Sequence, residues 1–244
     1  MKDFREDFHK LLGKLKTGEN FAFSRFSDGE LFLLKNEKLV IDNSGPYSEQ
    51  DHKSFDPDKH RAQHDKLVEC LQFKKHNYFK GISCPCCVGE ANFMWQVNLH
   101  GTDKNDEHLT WSNLFVNANY PLFMDHLVPA LKGRDVVYVC NDRADLSALP
   151  FNLVKDFRVG LNCIVNDFDL PERMKEYVRD EGITDTVFLF SASSLSNYCI
   201  YELYKEFDKN TYIDIGTTLN PLIGLDVNRI YLRGGSTIGK VCRW

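Results

Sequence analysis

Hydrophobic residues recur along this chain with two spacings, one typical of helices and one typical of strands. The first segment places its large apolar side chains on one helical face, at Phe4, Phe8, Leu11, Leu12 and Leu15. Because these positions follow a 3.6-residue period, the chain is predicted to open with an amphipathic helix.

Short apolar runs and helical segments alternate through the rest of the chain. Strands are predicted at 21–26, 38–42, 78–83, 136–140, 158–165, 187–190 and 211–215. Helices are predicted at 30–35, 59–72, 88–98, 119–131, 149–157, 171–181 and 194–207. Such alternation is typical of a parallel sheet covered by helices on both faces. We therefore expect an α/β fold, Rossmann-like and doubly wound, with a mostly parallel sheet.

The organisation of the chain indicates one unit. No internal repeat, low-complexity tract or Pro/Gly-rich linker divides residues 1–244, so we expect a single domain. Residues 43–58 are predicted to form a long polar loop, a kind of segment that is often functional.

The predicted topology ranks the polar residues. In doubly wound sheets, ligands bind in the crevice beyond the carboxyl ends of the strands. The polar residues that follow a predicted strand are Ser27–Glu30, Asn141–Asp142, Ser191–Ser194 and Gly216–Asn220. These segments are the candidates for a binding site.

The Asp28-Gly29-Glu30 segment has the clearest chemical signature. Two carboxylates just past a strand can bind one hard divalent cation, and Arg25 suits a diphosphate. The alternative is structural, because Asp28 would also serve as a helix cap with Glu30 in the first helical turn. The residues alone leave both interpretations open.

Composition and charge exclude some functions. The chain is 43% hydrophobic and 27% charged, as in ordinary globular proteins. A net charge of −5 argues against a nucleic-acid partner, because such proteins need a basic face. No stretch approaches the ~18 consecutive apolar residues of a membrane span. The first residues mix charges without the apolar stretch of a signal peptide, so we expect a cytoplasmic protein.

The eight cysteines are interpreted as free thiols. The most unusual local sequence is Cys84-Pro85-Cys86-Cys87. Zinc sites usually pair two C-x₂₋₄-C units, and no second unit is present in the sequence. We therefore interpret this segment as a thiol-lined loop after a strand, and its role stays open.

Two ordered motifs resemble a known family. Phe23–Glu30 resembles the R-F-x-D-G-E signature of the D-type glycosyltransferase fold family of bacterial nucleotide-sugar glycosyltransferases. Near the other end of the chain, Tyr212–Gly216, Asn220–Gly224 and Arg229–Leu232 are similar to the D-I-G, D-P and R-x-Y-L pattern of that family. These matches cover about a fifth of the chain.

The resemblance implies a metal-assisted glycosyltransferase of the hexosyltransferase type. It would move a sugar from a nucleoside-diphosphate sugar, commonly UDP-linked, to a glycan or other small hydroxyl acceptor. Mn²⁺ or Mg²⁺ would be the cofactor, with Asp28 and Glu30 as metal ligands.

Further roles follow from the resemblance together with the strand-end rule. The expected catalytic residues are Asp28, Glu30 and Asp214. The expected donor-binding residues are Arg25, Ser27, Gly29, Asn141, Ser191, Ser193, Ser194, Gly216 and Thr217. The backbone N–H groups near Ser193–Leu195 are expected to hold a phosphate.

The chain departs from the family pattern at two places. Many family members have Gly or Ala followed by Pro where this chain has Ala192-Ser193-Ser194. A histidine often follows their D-I-G, where Thr217 and Thr218 stand here. The alternatives are a Mg²⁺-dependent nucleotide or phosphoryl hydrolase, and a non-catalytic nucleotide- or sugar-binding protein on the same fold.

Overall fold

The computed structural model describes residues 2–41 and 53–244, and its centre is a seven-stranded sheet. Along the chain, its strands are β1 (Ala22–Phe26), β4 (Tyr78–Ile82), β5 (Leu109–Trp111), β6 (Asp135–Asn141), β7 (Asn152–Val159), β8 (Val187–Phe190) and β9 (Thr211–Asp214). Their order is β5-β4-β1-β9-β8-β6-β7, and every neighbouring pair is parallel. A separate antiparallel pair joins β2 (Leu39–Ile41) to β3 (Lys53–Phe55).

Helices cover both faces of this sheet. The α-helices are α1 (Phe4–Thr17), α2 (Asp28–Leu34), α3 (Arg61–Gln72), α4 (Pro85–Val88), α5 (Glu90–His100), α6 (Tyr120–Leu122), α7 (Val128–Ala130), α8 (Cys163–Asn166), α9 (Leu170–Asp180) and α10 (Ser194–Glu206). A π-helical segment, Phe123–Leu127, joins α6 to α7, and 3₁₀ turns lie at Asn117–Asn119, Asn220–Leu222, Ile230–Arg233 and Ser236–Gly239.

The two faces of the sheet bury two separate cores. One core packs α3, α5, α9 and α10 against the sheet, and the other packs α1 and the helical region 117–130 against the opposite face. Strands β8 and β9 are buried along their whole length, as expected for central parallel strands. The predicted Rossmann-like, doubly wound α/β fold is confirmed.

The segment after β6 corrects the sequence analysis. The helix predicted at 149–157 is wrong, because Asn152–Val159 forms β7. The strand predicted at 158–165 is wrong beyond residue 159, because Cys163–Asn166 is helical. Since β7 is an edge strand, it carries charged residues such as Lys155 and Asp156, and they hide the two-residue alternation.

Other differences concern short segments. Strand β5 was not predicted, because three residues are too few to establish a period. The predicted strand at 38–42 is observed over Leu39–Ile41. Of the loop predicted at 43–58, residues 43–52 lie outside the described residues, and Lys53–Phe55 is the strand β3. Among the described residues, no helix is long and apolar enough to cross a membrane.

Candidate functional site

A cavity of about 630 Å³ lies beyond the carboxyl ends of the central strands. Because all the strands of the large sheet run parallel, the segments that follow them converge on this edge. All of the sequence-predicted site residues line this cavity: Arg25, Ser27, Asp28, Gly29, Glu30, Asn141, Ser191, Ser193, Ser194, Asp214, Gly216 and Thr217. The structure therefore brings them together, and their individual roles stay predictions.

Glu30 is held at the centre of a hydrogen-bond network. Its Oε2 accepts from the Ser27 N–H at 3.0 Å and from the Ser27 hydroxyl at 2.6 Å. Its Oε1 accepts from the Ser194 hydroxyl at 2.9 Å and more weakly from that of Ser193 at 3.4 Å. Glu30 thus joins the first turn of α2 to the first turn of α10.

The ionised form of Glu30 is favoured by its surroundings. Burial by itself would raise the pKa of this carboxyl. The positive charge of Lys53, the hydrogen bonds from Ser27 and Ser194, and the charge of Arg25 outweigh burial, so the pKa lies below its ordinary value. A buried carboxylate is therefore kept charged inside the cavity wall.

Asp28 has a different environment from Glu30. Ser27 is the N-cap of α2 and forms a capping box with Glu30, whereas Asp28 is the first residue of the helix. The side chain of Asp28 is exposed and lines the cavity. Ser27, and not Asp28, is therefore the residue that caps the helix. The Asp28 carboxylate is exposed to solvent in the cavity.

Arg25 is held in a fixed orientation at the end of β1. Its Nε donates to the backbone carbonyl of Ser112, and its Nη1 lies 3.7 Å from Oδ1 of Asp214. A Cβ built on Gly216 would lie 1.8 Å from Nη1 of Arg25, and Gly216 has φ of +55°. Both observations explain why glycine occupies position 216.

Two opposing effects act on the pKa of Asp214. It forms an ion pair with Arg25, yet the pKa of its carboxyl is raised to about 7 because burial outweighs the charge of Arg25. Glu30 adds a further increase, and the hydrogen bond from the Gly216 N–H, 2.9 Å long, lowers the pKa. The raised pKa is consistent with the 3.7 Å separation, which is too long for a direct hydrogen bond to Arg25.

The start of α10 contributes a strained residue to the cavity. Ser193 has φ of +49° and ψ of −142°, a region that residues with a Cβ rarely adopt. The Leu195 N–H donates back to the Ala192 carbonyl at 3.1 Å, so this group is already used. That the N–H groups of Ser193 and Ser194 hold a phosphate stays a prediction.

The remaining predicted residues stabilise the loops of the cavity. Ser191 donates from its hydroxyl to the Gly216 carbonyl at 2.6 Å, which joins the ends of β8 and β9. The Thr217 hydroxyl lies 2.8 Å from the Tyr231 hydroxyl. Oδ1 of Asn141 accepts from the Arg143 N–H at 3.0 Å.

Several residues that line the cavity were not predicted from the sequence, and Lys53, Tyr231 and Ser112 are the three that contact predicted site residues or bring charge close to them. Lys53 on β3 brings a positive charge close to Glu30, and its Nζ lies 3.7 Å from a Cβ built on Gly29. Tyr231 and Ser112 also line the cavity. No local motif marks Lys53, since it lies inside the polar loop predicted at 43–58, far from any predicted strand end.

Comparison with known proteins supports the fold. Neither a protein-family model nor a curated protein matches this chain. Among solved structures, a selenomethionine-substituted domain of unknown function 1792 has a TM-score of 0.55 at 14% identity. A structure described as that same conserved domain with a distinct glycosyltransferase fold has a TM-score of 0.54 at 13% identity. Each match covers 86% of this chain and 77% of the other.

These two solved structures define the fold class of the chain. The chain has a glycosyltransferase-like fold, with a Rossmann-like sheet and a cavity at the strand ends. At this identity the likeness concerns the fold alone. Membership of the D-type family, suggested by the two motifs, stays a prediction.

Proposed function

We propose that this protein is a glycosyltransferase that moves a hexosyl group from a nucleoside-diphosphate sugar, most simply a UDP-sugar, to a hydroxyl acceptor. The observation that carries the proposal is the convergence of Arg25, Asp28 and the start of α10 on one cavity of a glycosyltransferase-like fold. A diphosphate needs positive charge and N–H donors in one place.

The proposed donor site uses the charges of the cavity wall. The guanidinium of Arg25 is oriented by Ser112 and Asp214 and faces the cavity, where it suits a phosphate oxygen. Lys53 adds a second positive charge to the lining. The N–H groups of Ser193 and Ser194 stand at the positive end of α10, a helix of 13 residues, and favour an anion.

A divalent cation fits this site through Asp28. The four acceptor positions of Glu30 are taken by Ser27, Ser193 and Ser194, whereas the Asp28 carboxylate is exposed. We assign Mn²⁺ or Mg²⁺ to Asp28, where the ion would neutralise charge on the departing nucleoside diphosphate. Ligation by Glu30 as well stays a prediction, and it would require a serine hydroxyl to turn away.

Asp214 is the proposed base candidate. A carboxyl with a pKa of about 7 can accept a proton from an acceptor hydroxyl near neutral pH. Asp214 also orients Arg25 and the Gly216 loop, so a structural role is compatible with the same contacts. The two roles predict different kinetics for Asp214→Asn, because losing a base lowers kcat with donor affinity unchanged, whereas losing a residue that only orients Arg25 also weakens donor binding.

Donor turnover tests the proposal. The protein is incubated with Mn²⁺, a panel of nucleoside-diphosphate sugars and a pool of hydroxyl acceptors, and products are followed by mass spectrometry. We expect acceptor-dependent release of nucleoside diphosphate and an acceptor one hexosyl unit heavier. Asp28→Asn should lower both signals, while Asp180→Asn, an exposed change at the end of α9, should not.

Other outcomes separate the alternatives. Release of phosphate or nucleotide without any acceptor would indicate a hydrolase. Nucleotide binding with no turnover for any donor and acceptor would indicate a binding protein on this fold. Either result would contradict the transferase.

A further inference from the structure

Four cysteines from two distant parts of the chain meet at one point of the fold. The sulfur atoms of Cys84, Cys86, Cys87 and Cys242 all lie within 4.8 Å of one another. All four are free thiols. Cys84 and Cys242 are buried, whereas Cys86 and Cys87 are exposed, so the cluster is open to solvent on one side.

The local backbone explains how Cys84 and Cys87 come together. Cys84 ends the loop after β4, and Pro85 begins the short helix α4. The Cys87 N–H donates to the Cys84 carbonyl at 2.9 Å, and the Val88 N–H donates to the same oxygen at 3.2 Å. This tight turn directs the thiols of Cys84 and Cys87, which form a C-x₂-C pair, to the same side.

The fourth thiol comes from the other end of the chain. The chain segment after Ser236–Gly239 passes over the end of β4 and brings Cys242 to the cluster. Because the sequence shows no second cysteine unit, Cys84-Pro85-Cys86-Cys87 was interpreted as a thiol-lined loop whose role stayed open. A single distant cysteine completes the set instead.

The geometry matches a tetrahedral metal centre. Four sulfur ligands at about 2.3 Å from Zn²⁺ lie about 3.8 Å from one another. The Cys84 sulfur lies 3.1 Å from that of Cys86 and 3.4 Å from that of Cys87, and the remaining pairs also fall within 4.8 Å. Tetrahedral sites with four thiolates select Zn²⁺ or iron–sulfur centres.

Neighbouring donors point at these sulfurs. Nδ2 of Asn113 donates to the Cys242 sulfur at 2.8 Å and more weakly to that of Cys87 at 3.7 Å. Nζ of Lys240 lies 3.3 Å from the Cys87 sulfur. Such donors stabilise thiolates and offset the negative charge of a zinc ion bound by four of them.

We propose that Cys84, Cys86, Cys87 and Cys242 bind one structural Zn²⁺ ion that anchors the C-terminal segment beside the cavity. The segment that the ion anchors contributes Tyr231 and Thr237 to the cavity wall. Beyond the cluster, Trp244 packs against Phe93 and Trp111, with ring centroids 4.9 and 5.4 Å apart. This site does not depend on the proposed transferase activity.

Metal content tests the proposal directly. The full chain is loaded with Zn²⁺, passed through a desalting column and analysed by plasma mass spectrometry, and the same is done with Co²⁺ for absorption spectra. We expect about one zinc ion per chain and the spectrum of tetrahedral thiolate-bound Co²⁺. Cys86→Ala and Cys242→Ala should lose the tightly bound metal, whereas Cys70→Ala, a buried cysteine of α3, should retain it.

The choice of variants keeps the test decisive. Cys86 is exposed, so Cys86→Ala remains informative even if Cys242→Ala fails to fold. Asn113→Ala should weaken zinc binding by about 10- to 100-fold in competition with a chelator, because it removes a donor to the ligands.

The contrary results are equally clear. Thiol titration in denaturant with chelator should find all eight cysteines, and a missing pair would show that the cluster forms a disulfide instead. Failure of the wild-type chain to retain zinc, or equal zinc loss in Cys70→Ala, would overturn the proposal.

Discussion

Replacing Gly216 by alanine perturbs the donor site through one added methyl group. The Cβ of the alanine would lie 1.8 Å from Nη1 of Arg25, so the guanidinium has to move. The alanine must also adopt φ of +55°, which costs about 1–2 kcal/mol for an L-residue. At about 2–4 °C per kcal/mol for a chain of this size, Tm should fall by about 2–8 °C.

The effect on ligand binding should be larger than the effect on stability. A hydrogen bond to a charged group contributes about 1.5–3 kcal/mol. Losing the Arg25 contact with a diphosphate should therefore raise the Kd for UDP by about 10- to 150-fold. Isothermal titration with UDP in the presence of Mn²⁺ measures this change, and thermal unfolding measures the stability.

A second glycine provides the matched control. Gly182 has φ of +62°, and nothing lies within 4 Å of a Cβ built on it. Gly182→Ala should therefore carry the backbone cost without the collision, lowering Tm by a similar amount and leaving the Kd for UDP unchanged. Equal UDP affinity in the two variants would refute the assignment of Arg25 to the diphosphate.

Three further predictions concern the same cavity. Burial raises the pKa of Asp214 from its ordinary value of 3.8 to about 7, so its contribution to stability is complete below about pH 4 and is lost as the pH rises to 7. Asp214→Asn should abolish that loss in unfolding curves recorded between about pH 4 and 8. Ser193→Gly should be more stable to thermal unfolding than Ser193→Ala by about 1–3 kcal/mol, because only glycine relieves the positive φ. Glu30→Gln should lower the free energy of unfolding by about 1–3 kcal/mol at neutral pH, because it weakens the charge-assisted hydrogen bonds from Ser27 and Ser194. The lowered pKa of Glu30 keeps its carboxylate charged, and these bonds intact, until acidic pH.

Each of these predictions has a contrary result. An unchanged pH profile in Asp214→Asn would mean that another group titrates near neutrality. Equal stability of the two Ser193 variants would remove the argument for strain at that residue. Glu206 forms an exposed ion pair with Arg179. If Glu30→Gln loses no more stability than Glu206→Gln, the hydrogen bonds around Glu30 add no more than a surface contact.

The sequence predicted the central architecture because the central strands are locally distinctive. Strands β1, β6, β8 and β9 are short apolar runs followed by polar residues, and the rule for parallel sheets places those polar residues at one edge. This is why the predicted site residues line a single cavity. That the whole chain is one domain stays a prediction, which a single cooperative unfolding transition would support.

Other features were beyond the reach of local patterns. Strand β7 lies at the sheet edge, where charged residues imitate a helical pattern. Lys53 approaches Glu30 only because β3 folds back beside α2, and Cys242 reaches Cys84 only through the path of the whole C-terminal segment. Such long-range approaches follow from tertiary packing, which periodicity does not record.

The roles of Asp28 and Glu30 illustrate the same limit. The D-x-E spacing predicted two equivalent metal ligands, but the fold gives the two carboxylates different surroundings. The serines that surround Glu30 come from two helices, and one of those helices begins more than 160 residues later in the chain. Only the three-dimensional arrangement separates the exposed carboxylate from the hydrogen-bonded one.

The most direct test of the donor site is a thermal-shift titration with nucleoside diphosphates and nucleotide sugars, with and without Mn²⁺, on the wild type and Asp28→Ala. A ligand at 100 times its Kd stabilises the native state by about 2.7 kcal/mol, which corresponds to a rise in Tm of about 5–11 °C. We expect such a rise with one nucleotide in the presence of Mn²⁺, and its loss in Asp28→Ala. A folded wild-type protein that shows no shift with any nucleotide would refute the proposed donor site.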